Sequence, residues 1–506
     1  MTGILIAGTA SDAGKSLVVA GLCRALARRG IDVAPFKAPN MSNNSAGCTD
    51  GSEIGRAQYL QAQAAGVEPS SLLNPVLLKP GTDRRAHVVV RGRPAGTLEA
   101  GEYATGRVHL AEAAFDAYRE LAAAHELIVV EGAGSPAEIN LREGDYVNLG
   151  LARRFGLPVV VVGDIDRGGV LAALYGTWAL VSAADRAHLA GYVVSKFRGD
   201  RAVLEPGLAE LSRRTGLPCL GVLPWLEEVW IDGEDALDVA RWKRAGLAPE
   251  RPDLVVAVVP LPRISNATDV EALARTRGVR VDMTAAPDAC AAADLLVLPG
   301  TRATIDDLAW LRARGLDAVV AARHATGRPT LGICGGYEML ARTITDGVES
   351  GHADAAGLGV LPVDVRYGTK VTARTTHAWR GLAVPGYEIH HGHVTLAGDA
   401  EPFLDGCRVG VTFGTMLHGA FEDQPFADAF LAEVAAHTGS RWTPTPGPAH
   451  AAARESMLDA VAAALESHVD LDALVALARA GVVSGEAAHP IGCRMLPHLR
   501  GRRGSQ

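Results

Sequence analysis

The sequence contains few cysteines and few aromatic residues, and it has no long hydrophobic run. Seven cysteines lie among 506 residues at irregular spacings and without a Cys-x-x-Cys pair. This argues against a disulfide framework and against a zinc knuckle. No apolar run approaches the roughly 20 residues that span a bilayer, and a strand-like amino terminus leaves no room for a signal peptide. We therefore expect a cytoplasmic protein without a membrane partner.

The chain also lacks the basic runs that are typical of nucleic-acid binders. Its formal net charge is -8, with 48% hydrophobic and 21% charged residues. The one basic stretch, at 500–503, is short and terminal, as in a solvated tail. We expect small-molecule substrates and no nucleic-acid partner, and the sequence allows a homo-oligomer.

Short apolar runs bounded by glycine and proline alternate with helical patterns along most of the chain. This alternation predicts parallel sheets with helices on both faces. Because 506 residues exceed one ordinary core, we predict an α/β protein with two doubly wound domains. The predicted divisions are a P-loop domain at 1–230, a linker at 231–250, a second α/β domain at 251–440 and a helical C-terminal extension at 441–506.

The strand predictions are specific enough to be compared with the structure. In the first domain they are 3–8, 32–36, 127–130, 158–162, 191–194 and 219–223; in the second they are 254–259, 294–298, 329–333, 359–365 and 409–413. Helices are predicted at 455–467 and 471–480 in the extension.

A glycine-rich loop follows the first predicted strand and precedes a helix. It is a variant of Gly-x-x-x-x-Gly-Lys-Ser/Thr, since Thr9 stands where the first glycine usually stands. In such a loop Gly14 lets backbone amides face phosphate oxygens, Lys15 reaches the outer phosphates and the Ser16 hydroxyl binds magnesium. We therefore expect Thr9, Gly14, Lys15 and Ser16 to bind ATP.

Magnesium prefers oxygen ligands, so carboxylates near this loop are candidates beside Ser16. Glu131 comes directly after a predicted strand, at the sheet edge where ligands bind in parallel sheets. Glu53 is a further candidate. Asp164 and Asp166 also follow a strand, and the sequence leaves open whether they contact metal, nucleotide or acceptor.

One cysteine lies between a predicted strand and a helical stretch in the segment Leu331–Tyr337. On such a turn Cys334 can meet a substrate, and glycine at 335 and 336 lets the backbone bend. A thiolate attacks an amide carbonyl when a base and an oxyanion hole are present. His418, after another predicted strand, is the candidate base, and the amides of Gly300 and Gly335 are the candidate oxyanion hole.

A histidine cluster in the same half is the one pattern that could suggest a different metal. His390, His391 and His393 lie near Glu388 in the sequence. They match no known ligand spacing, and no cysteine stands beside them, so we expect no metal there.

The cysteine segment with its downstream histidine resembles the class I, or triad-type, glutamine amidotransferases. The first half resembles the dethiobiotin-synthetase-like P-loop ATPases, and their fusion in this order resembles the amidotransferases of cobalamin synthesis. Four segments are similar to the cobyric acid synthase family within that group: Pro35–Ser45, Glu53–Gln58, Asn74–Pro80 and Asp164–Gly169. The resemblance covers residues 1 to 440.

This resemblance implies ATP- and glutamine-dependent amidation of the b, d, e and g carboxylates of adenosylcobyrinic acid a,c-diamide. It implies Cys334 as nucleophile, His418 as its base, and ATP and Mg²⁺ as cofactors. Two alternatives stay open: a cobyrinic acid a,c-diamide synthase, and a partitioning-type regulatory P-loop ATPase with a relict glutaminase domain. The segment at 35–45 weighs against the first, and the intact cysteine turn weighs against the second.

Two departures from the resemblance bear on the mechanism. Most triad amidotransferases carry His-x-Glu, whereas Gly419 and Ala420 follow His418. We therefore expect a base that is held less firmly than usual and a glutaminase that is slow or gated by the acceptor. Arg302 stands where the family usually has lysine, which puts a role for that lysine in doubt.

Overall fold

Two mainly parallel sheets, one in each half of the chain, organise the protein. The computed structural model describes residues 2–80, 85–99, 107–226, 229, 252–348, 354–445, 447 and 449–482. The predicted linker at 231–250 lies outside these residues. None of the helices in the described ranges is both long and apolar enough to cross a bilayer.

The first half alternates strands and helices. Its strands are β1 (Gly3–Gly8), β2 (Val33–Phe36), β3 (Pro39–Met41), β4 (Ser45–Gly47), β5 (Glu53–Gly55), β6 (Val76–Pro80), β7 (Arg85–Val90), β8 (Arg93–Glu99), β9 (Leu127–Glu131), β10 (Val159–Asp164), β11 (Leu189–Phe197) and β12 (Cys219–Pro224). Its helices are α1 (Lys15–Arg28), α2 (Arg56–Ala65), α3 (Arg107–Ala124), α4 (Leu149–Phe155), α5 (Val170–Leu180), α6 (Ala183–Arg186) and α7 (Arg201–Thr215).

The main sheet of this half has the order β12-β11-β10-β1-β9-β2 and is parallel throughout. Successive residues of β1 point to opposite faces, as strand geometry requires. Ile4 and Ile6 join one buried cluster, and Leu5 and Ala7 join the other. Both faces are therefore covered, and the predicted doubly wound sheet is confirmed.

The second half begins with another such sheet. Its strands are β13 (Leu254–Val258), β14 (Val279–Met283), β15 (Leu295–Leu298), β16 (Thr330–Ile333), β17 (Thr343–Thr345), β18 (Asp354–Ala356), β19 (Val363–Trp379), β20 (Leu382–Leu396), β21 (Glu401–Phe403), β22 (Gly406–Val409) and β23 (Thr412–Thr415). Its helices are α8 (Thr268–Arg275), α9 (Pro287–Ala292), α10 (Thr304–Arg312), α11 (Leu316–Ala325), α12 (Gly335–Leu340), α13 (Gln424–Thr438), α14 (His450–His468) and α15 (Leu471–Ala480).

Two strand predictions in this half were wrong. The sheet has the order β14-β13-β15-β16-β23-β22-β21, and the predicted strand at 409–413 is split between antiparallel β22 and β23. Gly410 has a φ of 58°, which allows the tight turn that divides the run. The predicted strand at 359–365 is mostly loop; β19 begins at Val363 and forms a long antiparallel ribbon with β20. Its alternating buried and exposed residues produce no continuous apolar run.

The C-terminal helices return to the first half of the chain. Val461 and Leu465 of α14 are buried in the same cluster as α1. A Cβ at Gly21 of α1 would lie 2.2 Å from Leu465 Cδ1, so the close approach of the two helices requires glycine there. Val469 pairs with Gly221 of β12. The C-terminal extension therefore covers one face of the first sheet.

An ion cluster joins three parts of the chain. Glu422, just after the His418 loop, accepts hydrogen bonds from Arg56 of α2 and from Arg454 of α14, the latter at 3.0 Å. Burial alone would raise the pKa of Glu422, but Arg56 and Arg454, with His450 nearby, outweigh it and lower that pKa to about 2. The carboxylate form therefore stabilises the folded chain.

We expect Glu422→Gln to lower the thermal midpoint at pH 7 by about 3 °C or more, because it leaves two buried arginines without their carboxylate. Since the folded pKa lies below the ordinary value of 4.5, the stabilisation is full above that pH and is lost as the pH falls toward 2. Thermal melts of both proteins between pH 7 and pH 3 check this. The difference in thermal midpoint between the two proteins should narrow below about pH 5. A difference that stays constant with pH would contradict the prediction. Glu120→Gln, which removes the exposed ion pair with Arg91, is the matched control and should change little.

Candidate functional site

The phosphate loop lies between β1 and α1, as the sequence predicts. Gly14 has a φ of 99° immediately before α1, a conformation that glycine adopts without strain. The Lys15 ammonium donates to the carbonyl of Ala10 at 2.9 Å and to that of Gly134 at 3.2 Å. Lysine therefore curls over the loop, toward the position that phosphates take in such loops.

The substitution of threonine for the first loop glycine has a geometric explanation. A Cβ at Gly8 would lie 2.9 Å from the Ala10 carbonyl oxygen and 3.0 Å from Lys15 Nζ. Glycine at position 8, one residue before the usual first glycine, thus lets the Ala10 carbonyl and the Lys15 ammonium come close to the backbone. The Thr9 N–H donates to the Val162 carbonyl at 2.9 Å, so this amide belongs to the sheet and does not face the phosphate position.

Ser16 and Glu131, two of the predicted magnesium ligands, lie together. The Ser16 hydroxyl donates to Glu131 Oε1 at 2.8 Å, and Lys37 Nζ donates to the same oxygen at 2.9 Å. Gln61 donates to the other carboxylate oxygen. Burial alone would raise the pKa of Glu131, but Lys37 and the hydrogen bonds from Gln61, Lys37 and Ser16 outweigh it and lower that pKa. A hydroxyl and an ionised carboxylate, oxygen donors of the kind that Mg²⁺ prefers, are thus present side by side.

Lys37 and Gln61 are site residues that the sequence reasoning missed. Both side chains are buried, and each contacts the carboxylate that stands beside Ser16. Both fall in segments that carry the family resemblance or follow one closely, but no local spacing links them to the phosphate loop.

The third predicted magnesium ligand, Glu53, lies in a different cluster. Its buried carboxylate contacts Lys79 Nζ at 2.6 Å, Lys370 Nζ, and the Ser45 hydroxyl at 3.2 Å. Burial alone would raise its pKa, but Lys370 and Lys79 outweigh it and lower that pKa. The structure therefore commits Glu53 to an ion cluster between the two halves, and not to the Ser16–Glu131 pair.

Asp164 and Asp166 lie beside the phosphate loop. Lys196 Nζ donates at 2.7 Å both to Asp164 Oδ2 and to the Asp12 carbonyl of the loop. Asp166 faces Arg198 at 3.6 Å. Asp164 is thus connected to the loop through a lysine.

The cysteine turn has the strained backbone that a nucleophile elbow requires. Cys334 has a φ of 49° and a ψ of −115°, unusual for a residue with a side chain. It is 6% exposed, and its N–H donates to the Thr415 carbonyl of β23 at 2.8 Å. A Cβ at Gly336 would lie 1.9 Å from the Leu298 carbonyl oxygen, so only glycine fits at this crossing.

His418 is fully buried and is held by Asp269, a residue that the sequence reasoning missed. His418 Nδ1 lies 2.7 Å from Asp269 Oδ2, and the Gly419 N–H donates to Asp269 Oδ1 at 2.6 Å. Tyr387 stacks on the imidazole with ring centroids 5.5 Å apart. His418 Nε2 is buried and has no hydrogen-bond partner within the described residues. The ring is therefore oriented at one nitrogen and available at the other.

The expectation of a loosely held base was wrong. No glutamate follows His418, but Asp269 supplies the carboxylate from the first turn of α8, 149 residues earlier in the chain. Gly419 has a φ of 80°, so the residue after His418 must tolerate a left-handed backbone. A sequence separation of this size gives no local signal.

Gly300, in the loop after β15, and Gly335, the first residue of α12, are the predicted oxyanion donors, and they lie beside the histidine and the cysteine. A Cβ at Gly300 would lie 3.0 Å from His418 Cε1, and one at Gly335 would lie 3.1 Å from the Thr301 nitrogen. Asp307 accepts a hydrogen bond from the Thr301 hydroxyl and another from the Arg263 N–H, which fixes this loop. The oxyanion role itself stays a prediction.

A small cleft lies at the cysteine, between the two halves of the chain. Its wall includes Cys334 and Glu338 from the second half and Asn43 and Lys79 from the first. Burial, with smaller effects from Lys370 and Arg302, lowers the pKa of Lys79 to about 7, while Glu53 opposes the change.

Arg302 and His391 also line the cleft. Arg302, in the position where the family usually has lysine, therefore keeps a cation near Cys334. His390, which lines the cleft as well, contacts the Gly392 carbonyl at 2.8 Å and Glu388 at 3.1 Å. No three His, Cys, Asp or Glu side chains within the described ranges converge as metal ligands.

Both halves match families of known proteins. Residues 4–238 match the CobQ/CobB/MinD/ParA nucleotide binding domain, and residues 255–426 match the CobB/CobQ-like glutamine amidotransferase domain. The first half is therefore a nucleotide-binding domain, and the second is a glutamine amidotransferase domain.

Several curated proteins are similar over nearly the whole chain. The sequence is 61% identical over 484 residues to the cobyric acid synthase of Cutibacterium acnes, covering 95% of this chain and 100% of that protein. Identity is 54% over 492 residues with that of Mycolicibacterium gilvum, covering 96% and 98%. With that of Mycobacterium tuberculosis it is 53% over 492 residues, covering 95% and 97%. The similarity thus extends beyond residue 440, where the sequence reasoning had ended it. The chain therefore belongs to the cobyric acid synthase family and is an amidotransferase ligase.

Proposed function

We propose that the chain uses ATP and glutamine to convert the b, d, e and g carboxylates of adenosylcobyrinic acid a,c-diamide into amides. The observation that carries the proposal is the cleft at Cys334, whose opposite wall belongs to the nucleotide-binding half. Ammonia released at the thiol would thus be formed at the boundary with the half that binds nucleotide.

In the glutaminase half, His418 takes the proton of the Cys334 thiol, and the resulting thiolate attacks the side-chain carbonyl of glutamine. The Gly300 and Gly335 amides stabilise the oxyanion, and His418 Nε2 gives a proton to the departing ammonia. Water then hydrolyses the thioester to glutamate with His418 as base. Asp269 holds the ring so that Nε2 keeps this position.

In the nucleotide half, Lys15 and the loop amides hold the phosphates of ATP while a corrinoid carboxylate attacks the terminal phosphorus. ADP leaves, ammonia attacks the acyl phosphate, and phosphate departs as the amide forms. The acyl phosphate is needed because carboxylate and ammonia do not condense unaided in water. Ser16 and Glu131 would hold Mg²⁺, which neutralises phosphate charge.

Two other functions predict different behaviour. A cobyrinic acid a,c-diamide synthase would leave the a,c-diamide unchanged. A regulatory ATPase with a relict glutaminase would not need an oriented His418, whereas both oxygens of Asp269 are used to hold it.

The function is tested by mass spectrometry of the corrinoid product. Purified protein is incubated with adenosylcobyrinic acid a,c-diamide, ATP, magnesium and glutamine labelled in its amide nitrogen. We expect incorporation of four labelled nitrogens. If no labelled nitrogen enters the a,c-diamide and two labelled nitrogens enter cobyrinic acid, the activity is that of an a,c-diamide synthase instead.

The role of Asp269 predicts a selective defect. Asp269→Asn retains the shape but removes the carboxylate that orients His418, so glutamine-dependent amidation should fall by about 10²- to 10⁴-fold. Ammonium-dependent amidation should stay within about twofold, because this step does not use His418. Asp282→Asn on neighbouring β14, whose carboxylate pairs with Arg280, is the matched control. An undiminished rate of glutamate release would remove the role from Asp269.

A further inference from the structure

Two asparagines form a reciprocal pair of hydrogen bonds across the boundary between the halves. The Ser45 N–H donates to Asn266 Oδ1 at 3.0 Å, and the Ala267 N–H donates to Asn44 Oδ1 at 3.2 Å. All four residues are buried. Each half thus offers one backbone amide and one side-chain oxygen to the other.

The loop that contains Asn266 leads into the helix that carries Asp269, the residue that orients the catalytic histidine. Ala267 is the N-cap of α8, and Asp269 lies in the first turn of that helix. Amides at a helix start lack partners inside the helix, and Asn44 satisfies the one at the cap from the other half of the chain. Asn266 has a φ of 52°, so the loop is held in a left-handed conformation that asparagine tolerates better than most residues.

The same loop also reaches the oxyanion region. The Ser265 N–H donates to the Gly300 carbonyl at 2.9 Å. On the other side, Ser45 is fixed because its hydroxyl contacts both Lys79 and Glu53. The asparagine pair therefore connects a rigid ion cluster of the nucleotide-binding half to the start of the helix that carries Asp269.

We propose that Asn44 and Asn266 act as a clasp through which the nucleotide-binding half positions Asp269 and thereby completes the glutaminase centre. Both are positioning residues, since they act through Asp269 and not on the substrate. The clasp assigns a role to the Asn-Met-Ser-Asn-Asn-Ser segment at 40–45. The inference rests on the proposed glutamine-driven amidation, and it makes glutamine hydrolysis dependent on the docked nucleotide-binding half.

The test compares Asn44→Ala and Asn266→Gly with the unmodified full chain. Glycine at 266 removes the acceptor but suits the positive φ, so it separates loss of the hydrogen bond from backbone strain. We expect each variant to lower kcat for glutamate release and for glutamine-dependent amidation about tenfold, with ammonium-dependent amidation unchanged. Tyr59→Phe is the matched control, because it removes a hydrogen bond from Arg374 that crosses the same boundary away from Asp269. It should preserve all three rates.

A double-mutant comparison distinguishes positioning from general damage. If Asn44 acts through Asp269, Asn44→Ala should cause no further loss in an Asp269→Asn background. The clasp would be overturned if the rate losses of the two single variants multiplied in the double variant. It would also be overturned if Asn44→Ala lowered the glutamine-dependent and the ammonium-dependent rates equally. Glutamate release is measured without corrinoid as well, so a wrong assignment of the acceptor would leave this test intact.

Discussion

The buried hydrogen bond between His418 and Asp269 is the interaction on which the proposed glutaminase centre depends. It engages Nδ1 of the imidazole and leaves Nε2 as the nitrogen without a partner among the described residues, and the second carboxylate oxygen fixes the backbone at Gly419. Its two partners come from elements far apart in the chain, α8 and the loop after β23. The centre therefore exists only when the second sheet is assembled and the start of α8 is in place.

The start of α8 is in turn held by the other half of the chain. The asparagine clasp contacts it directly, the Glu53 cluster anchors the clasp through Ser45, and Glu422 ties the histidine loop to α2. Helix α2 also carries Gln61, which donates to Glu131 beside the phosphate loop. Side chains of this one helix thus contact both Glu131 beside the phosphate loop and Glu422 just after the histidine loop.

Local sequence patterns were sufficient for features formed by contiguous residues. The loop at Gly14–Ser16, the turn at Cys334 and most of the buried strands of the two main sheets follow from short motifs and apolar runs. Strand β14 was not predicted, because polar residues alternate with its apolar ones. Asp269, Lys37 and the clasp could not be predicted in this way, because their partners are distant in sequence. The β19–β20 ribbon was missed because half of its side chains face outward and are polar.

The proposed reaction needs a nitrogen-releasing centre at Cys334 and a separate carboxylate-activating centre at Lys15. The most direct measurement is amide formation on the corrinoid with either glutamine or ammonium as nitrogen source, in Cys334→Ser and in Lys15→Ala. The account predicts that Cys334→Ser loses only the glutamine-dependent reaction and that Lys15→Ala loses both. Loss of both reactions in Cys334→Ser, or ammonium-dependent turnover in Lys15→Ala, would contradict it.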